Sequence, residues 1–161
     1  MARKIEIEFV KRQVKCVAEL LDDLAPKTSE AVWQNLPQSG NVYHAKYASN
    51  EVYILVPPFA FEEPGLENPT ITPTSGDLLY FHVPPGLVKF PEIRDVADQS
   101  ALIDLAIFYN RDNLLISPST GMVPGNRFGT ITENLEEVQK ACDNIWREGF
   151  AGEQLIFRRL K

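Results

Sequence analysis

Six side chains in the sequence have the chemistry to hold a small polar molecule. Side chains alternate between the two faces of a β-strand, so His44 and Lys46 would share one face. Tyr109 and Arg111 would likewise share a face at the end of another strand. A phenol beside a guanidinium can bind an anionic group through charge-assisted hydrogen bonds. We therefore predict a surface groove that binds a small anionic or amide-containing ligand, with contributions from His44, Lys46, Tyr53, Tyr109, Arg111 and Arg127.

Each of these positions also has a plain structural interpretation. His44 would then be a partly exposed surface histidine, and Tyr109 would pack beneath the aliphatic stem of Arg111. The segment Gly125-Asn126-Arg127 lacks the phosphate-binding pattern of a P-loop, so an ordinary loop is the favoured interpretation there. Both interpretations stay open on the sequence alone.

The sequence identifies no catalytic residue. His82 is a candidate base because histidine titrates near neutral pH, and a strand-end histidine bonded to backbone is the alternative. Ser117 and Ser119 lack the flanking glycines of a nucleophile elbow. The two histidines are not spaced to hold a metal together, so we expect neither a metal nor another cofactor.

Composition limits the classes of partner. The chain has 161 residues, of which 44 % are hydrophobic and 24 % charged, and its formal net charge is −6. This acidic balance argues against a nucleic-acid partner, because neutralising phosphates requires a basic surface. No apolar run is long enough for a membrane span or a signal peptide, so we expect no membrane partner and a cytoplasmic location. Cys16 and Cys142 fall on apolar positions of predicted elements, as buried free thiols would.

Short alternating segments dominate the chain, so we predict a mainly β protein. Ile5, Ile7 and Phe9 alternate with charged residues, and a second alternating run follows at 14–20, which is typical of a β-hairpin. Six more segments have strand character: Val42–Tyr47, Glu51–Val56, Gly76–Val83, Asp104–Tyr109, Phe128–Ile131 and Gln154–Leu160.

Two segments have helical periodicity. Pro26–Leu36 begins with a proline at the position where its missing N–H costs nothing, and Glu133–Glu148 carries an apolar stripe that includes Trp146. Thr132 is the predicted N-cap of the second helix. We expect the two helices to cap opposite mouths of one barrel domain spanning 1–161, with Trp146 buried.

Two blocks of the sequence resemble the cyclophilin superfamily. The first runs from Ala25-Pro26-Lys27-Thr28 to Val42-Tyr43-His44, and is similar to the cyclophilin run from Ala-Pro-Lys-Thr through a helix to a Phe-His-Arg strand. The second is Phe128-Gly129-Thr130-Ile131 before a helix. A closer resemblance covers nearly the whole chain, through Leu36-Pro37, His44-Ala45-Lys46 and the Phe-Gly-Thr-Ile block. It is to uncharacterised bacterial proteins with a cyclophilin-like fold. That resemblance implies a closed eight-stranded β-barrel capped by two α-helices, and no established activity.

The departures from cyclophilins bear on activity. The cyclophilin isomerases place an arginine directly after the histidine, where this chain has Ala45, and Lys46 would point to the opposite face of the strand. We therefore do not expect prolyl isomerase chemistry to be retained. Ligand binding in a groove is the first hypothesis, and a weak prolyl isomerase or peptide-binding module is the second. The third is a homo-oligomeric scaffold in which the proline-rich loops Pro57–Ser75 and Pro84–Ser100 pack on a neighbouring copy.

Overall fold

The computed structural model describes residues 1–161, which fold into mainly β-structure with three α-helices. The helices are α1 (Pro26–Gln34), α2 (Arg94–Gln99) and α3 (Leu135–Glu148). The strands are β1 (Lys4–Phe9), β2 (Val14–Leu20), β3 (Gln38–Asn41), β4 (Tyr43–His44), β5 (Glu51–Val56), β6 (Pro69–Thr70), β7 (Asp77–Val83), β8 (Leu102–Phe108), β9 (Ile116–Ser117), β10 (Gly121–Met122), β11 (Gly125–Glu133) and β12 (Gln154–Arg159).

Nine strands form one antiparallel sheet that nearly closes into a barrel. Their order is β3-β12-β1-β2-β11-β7-β8-β5-β4, while β6 pairs with β11 and β9 pairs with β10. The ring comes close to closure because β3 pairs with β12 and β4, which follows it directly, pairs with β5. At this seam a Cβ added to Gly40 would lie 3.2 Å from the Cβ of Ile54. The expected eight strands become nine because the stretch between Gln38 and His44 is interrupted and changes its partner.

The barrel interior confirms the alternation predicted at the start of the chain. Ile5, Ile7 and Phe9 are each 0 % exposed. They belong to one apolar cluster that also contains Val32 of α1 and Ile145 of α3. Each helix therefore buries its apolar stripe against the interior of the barrel, and this contact fixes the position of the helix. Cys16 and Cys142 are buried and unpaired, as predicted.

The helix ends differ from the sequence-based expectations. Pro26 begins α1 as predicted, and the carboxylate of Glu67 accepts hydrogen bonds from the backbone N–H groups of Lys27 and Thr28. The prediction of Thr132 as the cap of α3 was wrong, because the chain turns at Asn134 with φ +67°. Asparagine tolerates this left-handed conformation better than most residues.

Trp146 was expected inside the core, and this expectation was wrong. It lies on α3 one residue past the buried Ile145, and its side chain is 43 % exposed. The apolar stripe of α3 is narrower than its sequence indicates, because only the positions at 138, 141, 142 and 145 are buried. Trp33 of α1 is partly buried and packs against the core cluster.

The two proline-rich loops pack on their own barrel. In the first loop, Glu63 accepts a hydrogen bond from the hydroxyl of Tyr80. In the second, Phe90 stacks on Tyr43 with ring centroids 4.4 Å apart, and the Tyr43 hydroxyl donates to Glu92. The second loop also contains the short helix α2. No helix in the structure has the length and apolar character needed to cross a lipid bilayer.

Candidate functional site

The outer face of β5, β7 and β8 is covered, although barrel strands commonly expose that face to water. On β8, Ile103, Leu105 and Ile107 point into the barrel, so the alternate side chains point outward. The segments that follow β4 and β8 fold over those side chains. The result is a second apolar cluster made of Ala48, Leu79, Phe81, Ala106, Phe108 and Leu115.

A groove remains open beside this second cluster, and its volume is about 310 Å³. That volume lies at the lower end of the range for small-molecule sites. Twelve of its 19 lining residues are hydrophobic, which makes the groove mainly apolar. The rim carries exposed apolar side chains from three segments, namely Tyr47, Leu87 and Ile116. We call this feature the outer groove.

Two carboxyl groups lie in the outer groove without a partner. Glu51 at the start of β5 is only 5 % exposed, and Asp104 on β8 is partly buried. Their outward direction follows from strand alternation, since Val52 and Ile103 point into the barrel. The Oδ1 atom of Asp104 is buried and makes no hydrogen bond. No lysine or arginine lines the groove, so neither carboxyl is neutralised by a basic side chain.

Burial dominates the acid–base properties of this pair. It raises the pKa of Glu51 to about 8. It also raises the pKa of Asp104 well above its usual value, and the charge of Glu51 adds to that effect. Tyr53 lies two residues after Glu51 on β5. Its pKa is also raised, first by burial and then by the charges of Asp104 and Glu51. Glu51 therefore prefers its protonated, neutral form near pH 7 while the groove is empty, and burial shifts Asp104 in the same direction.

Strongly perturbed carboxyls in a cleft favour a functional role over a structural one here. Structural ion pairs also shift pKa values, but they do so through a cationic partner, and this pair has none. Each protonated carboxyl can donate one hydrogen bond and accept others, and each ionised form is an acceptor only. The outer groove can thus receive a group that donates hydrogen bonds or carries positive charge.

Of the six predicted ligand-binding residues, Tyr53 alone lines the outer groove. Three of the others meet near the barrel end beside α3. The Nε2 atom of His44 and the hydroxyl of Tyr109 are 2.7 Å apart and hydrogen-bonded. Lys46 places its Nζ 4.5 Å from the centre of the Trp146 ring, which lies 5.0 Å from the His44 ring.

This second group of residues has little capacity for anions. Burial, followed by the charge of Lys46, lowers the pKa of His44 to about 4, so its imidazole is neutral at pH 7. Tyr109 is 1 % exposed, and its hydroxyl is already bonded to the histidine. The predicted strand 42–47 ends at His44, and Lys46 begins a short 3₁₀ helix. The strand-based prediction that His44 and Lys46 share a face therefore had the wrong geometry, although both contact Trp146.

The two arginines lie away from both places. The side chain of Arg111 is 84 % exposed and pairs with the neighbouring Asp112. Arg127 was favoured as part of a loop but lies within β11, where its Nε is 2.7 Å from a carboxylate oxygen of the buried Asp77. The structure therefore does not gather Tyr109 and Arg111 into one concave pocket with His44.

The sequence did contain a signal for the missed carboxyls. The runs EVYILV of β5 and LIDLAIF of β8 are almost continuously apolar, which is typical of strands buried on both faces. Glu51 and Asp104 are the only charged residues in these runs. An acidic residue within a strand that is buried on both faces is rare enough to mark a site.

Comparison with known proteins places the chain in a family. The model of a family described as "Protein of unknown function (DUF3830)" matches residues 7–157. The chain belongs to the DUF3830 family. No curated protein matches the sequence of this DUF3830 member.

Two solved structures share the fold of the DUF3830 chain. The first is described as "Structure of McbB in complex with tryptophan"; it has a TM-score of 0.62 and 18 % identity, and the match covers 96 % of this chain. The DUF3830 chain spans only 44 % of the McbB chain. The second is the solution structure of the hypothetical protein AF2241 from Archaeoglobus fulgidus, with a TM-score of 0.51, 19 % identity and coverage of 99 % and 95 % of the two chains. At these identities the likeness concerns the fold alone.

Proposed function

We propose that this protein binds a small organic molecule in the outer groove, and that the ligand combines an apolar body with an amine or amide nitrogen. The observation that carries the proposal is the buried Oδ1 of Asp104, an acceptor without a partner on a side chain that lines the groove. Leaving such an atom unpaired costs roughly 1–3 kcal/mol, which a hydrogen-bond donor on the ligand would offset. Glu51 supplies a second carboxyl in the same groove.

The charge of the groove selects between the two ligand classes expected from the sequence. An anionic head group would meet two carboxyls and neither a lysine nor an arginine, so its burial would lack a permanent positive charge to compensate it. An amide can donate its N–H to one carboxyl and accept from the other while that carboxyl is protonated. We therefore keep amide-containing molecules as a proposed ligand class and propose amines in place of anionic molecules.

The structural neighbour McbB gives a starting point for probes. The description of that protein names a complex with tryptophan, a molecule that joins an ammonium group to a bicyclic apolar ring. An indole ring is matched to a groove with mainly hydrophobic lining and Tyr53 in its wall. Indoles with different head groups therefore separate the contribution of the ring from that of the head.

The test compares three indoles by calorimetric titration: tryptamine, indole-3-acetamide and indole-3-acetate. We expect tryptamine and the amide to bind at least about tenfold more tightly than the acetate, a difference of about 1.4 kcal/mol. Asp104→Ala should abolish this preference. Glu136→Gln is the matched control, since the side chain of Glu136 on α3 is 82 % exposed and outside the groove. Equal affinities for the three indoles, or an unchanged preference in Asp104→Ala, would refute the proposal.

A peptide-binding module is the second candidate, because the exposed apolar side chains of Tyr47, Leu87 and Ile116 extend the groove at its rim. A prolyl isomerase of the cyclophilin type would also need an arginine as hydrogen-bond donor. Ala45, which stands at the arginine position in the cyclophilin resemblance, lines the outer groove, and no arginine lines it. The scaffold hypothesis has no comparable support, since both proline-rich loops contact their own barrel.

A further inference from the structure

We propose that the outer groove captures a singly charged organic cation in exchange for one proton, so that Glu51 and Asp104 act together as a cation-for-proton exchanger. This inference rests on the proposed function and specifies it further. The ligand is then a protonated amine or a similar monocation, and the carboxyl pair loses one proton when the ligand binds. A neutral amide would occupy the same groove without that change.

No lysine or arginine lines the groove beside the carboxyl pair. Glu51 and Asp104 stand on the neighbouring strands β5 and β8, and both line the same groove. The other titratable side chains that line the groove are Tyr53 on β5, His82 on β7 and Tyr47 after β4. The covering segments that hold Leu87 and Leu115 contribute no titratable group to the lining.

Neighbouring groups do not change this conclusion. Tyr43 on β4 contacts Tyr53, with ring centroids 5.6 Å apart, but its hydroxyl donates to Glu92. Lys46, the nearest lysine in sequence, lies over the ring of Trp146 and does not line the groove.

Electrostatics then determines the protonation of each state. Two ionised carboxyls in one apolar groove repel each other and lose their hydration, so the empty groove retains its protons. An ammonium group brought into the groove removes this penalty for one carboxyl. That carboxyl ionises, its proton goes to solvent, and the groove remains electrically neutral. A second ionisation has no second cation to support it, so the exchange is one for one.

Proton exchange has a quantitative signature. A ligand that releases one proton on binding gains about tenfold in affinity for each pH unit, as long as the pair is protonated in the free protein. We expect the affinity for tryptamine to rise about tenfold between pH 6 and pH 7. The affinity for indole-3-acetamide should stay constant over the same interval, because a neutral ligand has no charge to exchange.

The experiment is calorimetric titration of the full chain with tryptamine at pH 7, in buffers that differ in ionisation enthalpy. The slope of the observed enthalpy against the buffer enthalpy counts the protons released. We expect about one proton for the wild type and for the control Glu136→Gln, and none for indole-3-acetamide. The double variant Glu51→Gln/Asp104→Asn keeps the shape of both side chains, and it should release no proton and lose the preference for tryptamine at pH 7.

The outcomes separate the two proposals. Tryptamine binding without proton release, or with equal release in the double variant, would overturn the exchange and leave ligand binding intact. Failure of all three indoles to bind would overturn the proposed function together with the exchange. Release of one proton that disappears in the double variant supports both.

Discussion

The buried carboxyl of Glu51 should give the protein an unusual dependence of stability on pH. Its pKa is about 8 in the fold, whereas an exposed glutamate titrates near its usual value of 4.5. Between these two pH values the folded chain holds a proton that the unfolded chain has lost. Stability from this group is therefore complete below pH 4.5 and falls as the pH rises towards 8. Because the folded carboxyl is half ionised at pH 8, the loss between pH 5 and pH 8 amounts to about 3.5 kcal/mol.

The variant Glu51→Gln isolates this contribution, since glutamine has nearly the same shape and does not titrate. We expect the free energy of unfolding of the wild type, minus that of the variant, to fall by about 3.5 kcal/mol between pH 5 and pH 8. Urea denaturation at one-unit pH intervals measures it. Asp22, whose pKa is lowered by its hydrogen bond to Arg3, loses its contribution only as the pH falls below its usual value of 3.8, which is a separate pH window. Parallel pH profiles for the two proteins would show that Glu51 is ionised and hydrated in the fold.

Four further outcomes are expected. Glu153→Ala should cost about 3–5 kcal/mol in urea denaturation, because the fully buried Glu153 carboxylate pairs with Arg12 at 2.9 Å. Gly125→Ala should cost about 1–3 kcal/mol and weaken tryptamine binding, since the new Cβ would lie 2.5 Å from Cε1 of Phe81 in the groove wall. Trp146→Ala should cost less than the roughly 3–5 kcal/mol of a fully buried tryptophan, measured by thermal unfolding. In a protease-coupled assay with a proline tetrapeptide, the protein should show no cyclophilin-like rate; such a rate would contradict the inference drawn from the arginine-free groove.

The sequence predicts the barrel well where one face of a strand meets water. Alternation placed Ile5, Ile7 and Phe9 in the core, and the structure confirms each. Local patterns were less informative where tertiary contacts decide the outcome. The end of the strand at His44 and the exposure of Trp146 depend on contacts between segments that are far apart in sequence, which no local pattern encodes.

The candidate site was mostly missed for a related reason. Of the six residues predicted to bind a ligand, Tyr53 alone lies in the outer groove, whose carboxyls come from acids inside apolar runs. Glu51 and Asp104 become unusual only when the segments carrying Ala48 and Leu115 fold over them. That covering contact joins residues far apart in sequence, so the periodicity of any one strand cannot reveal it.

The most direct test of the account is to map the binding of tryptamine by amide chemical shifts in ¹H–¹⁵N NMR spectra. We expect the largest changes at Glu51, Tyr53 and Asp104 and in the segment around Leu115 that lines the groove. The changes should saturate with a single dissociation constant. Changes centred instead on His44 and Trp146, or no saturable change at any position, would contradict the assignment of the outer groove as the ligand site.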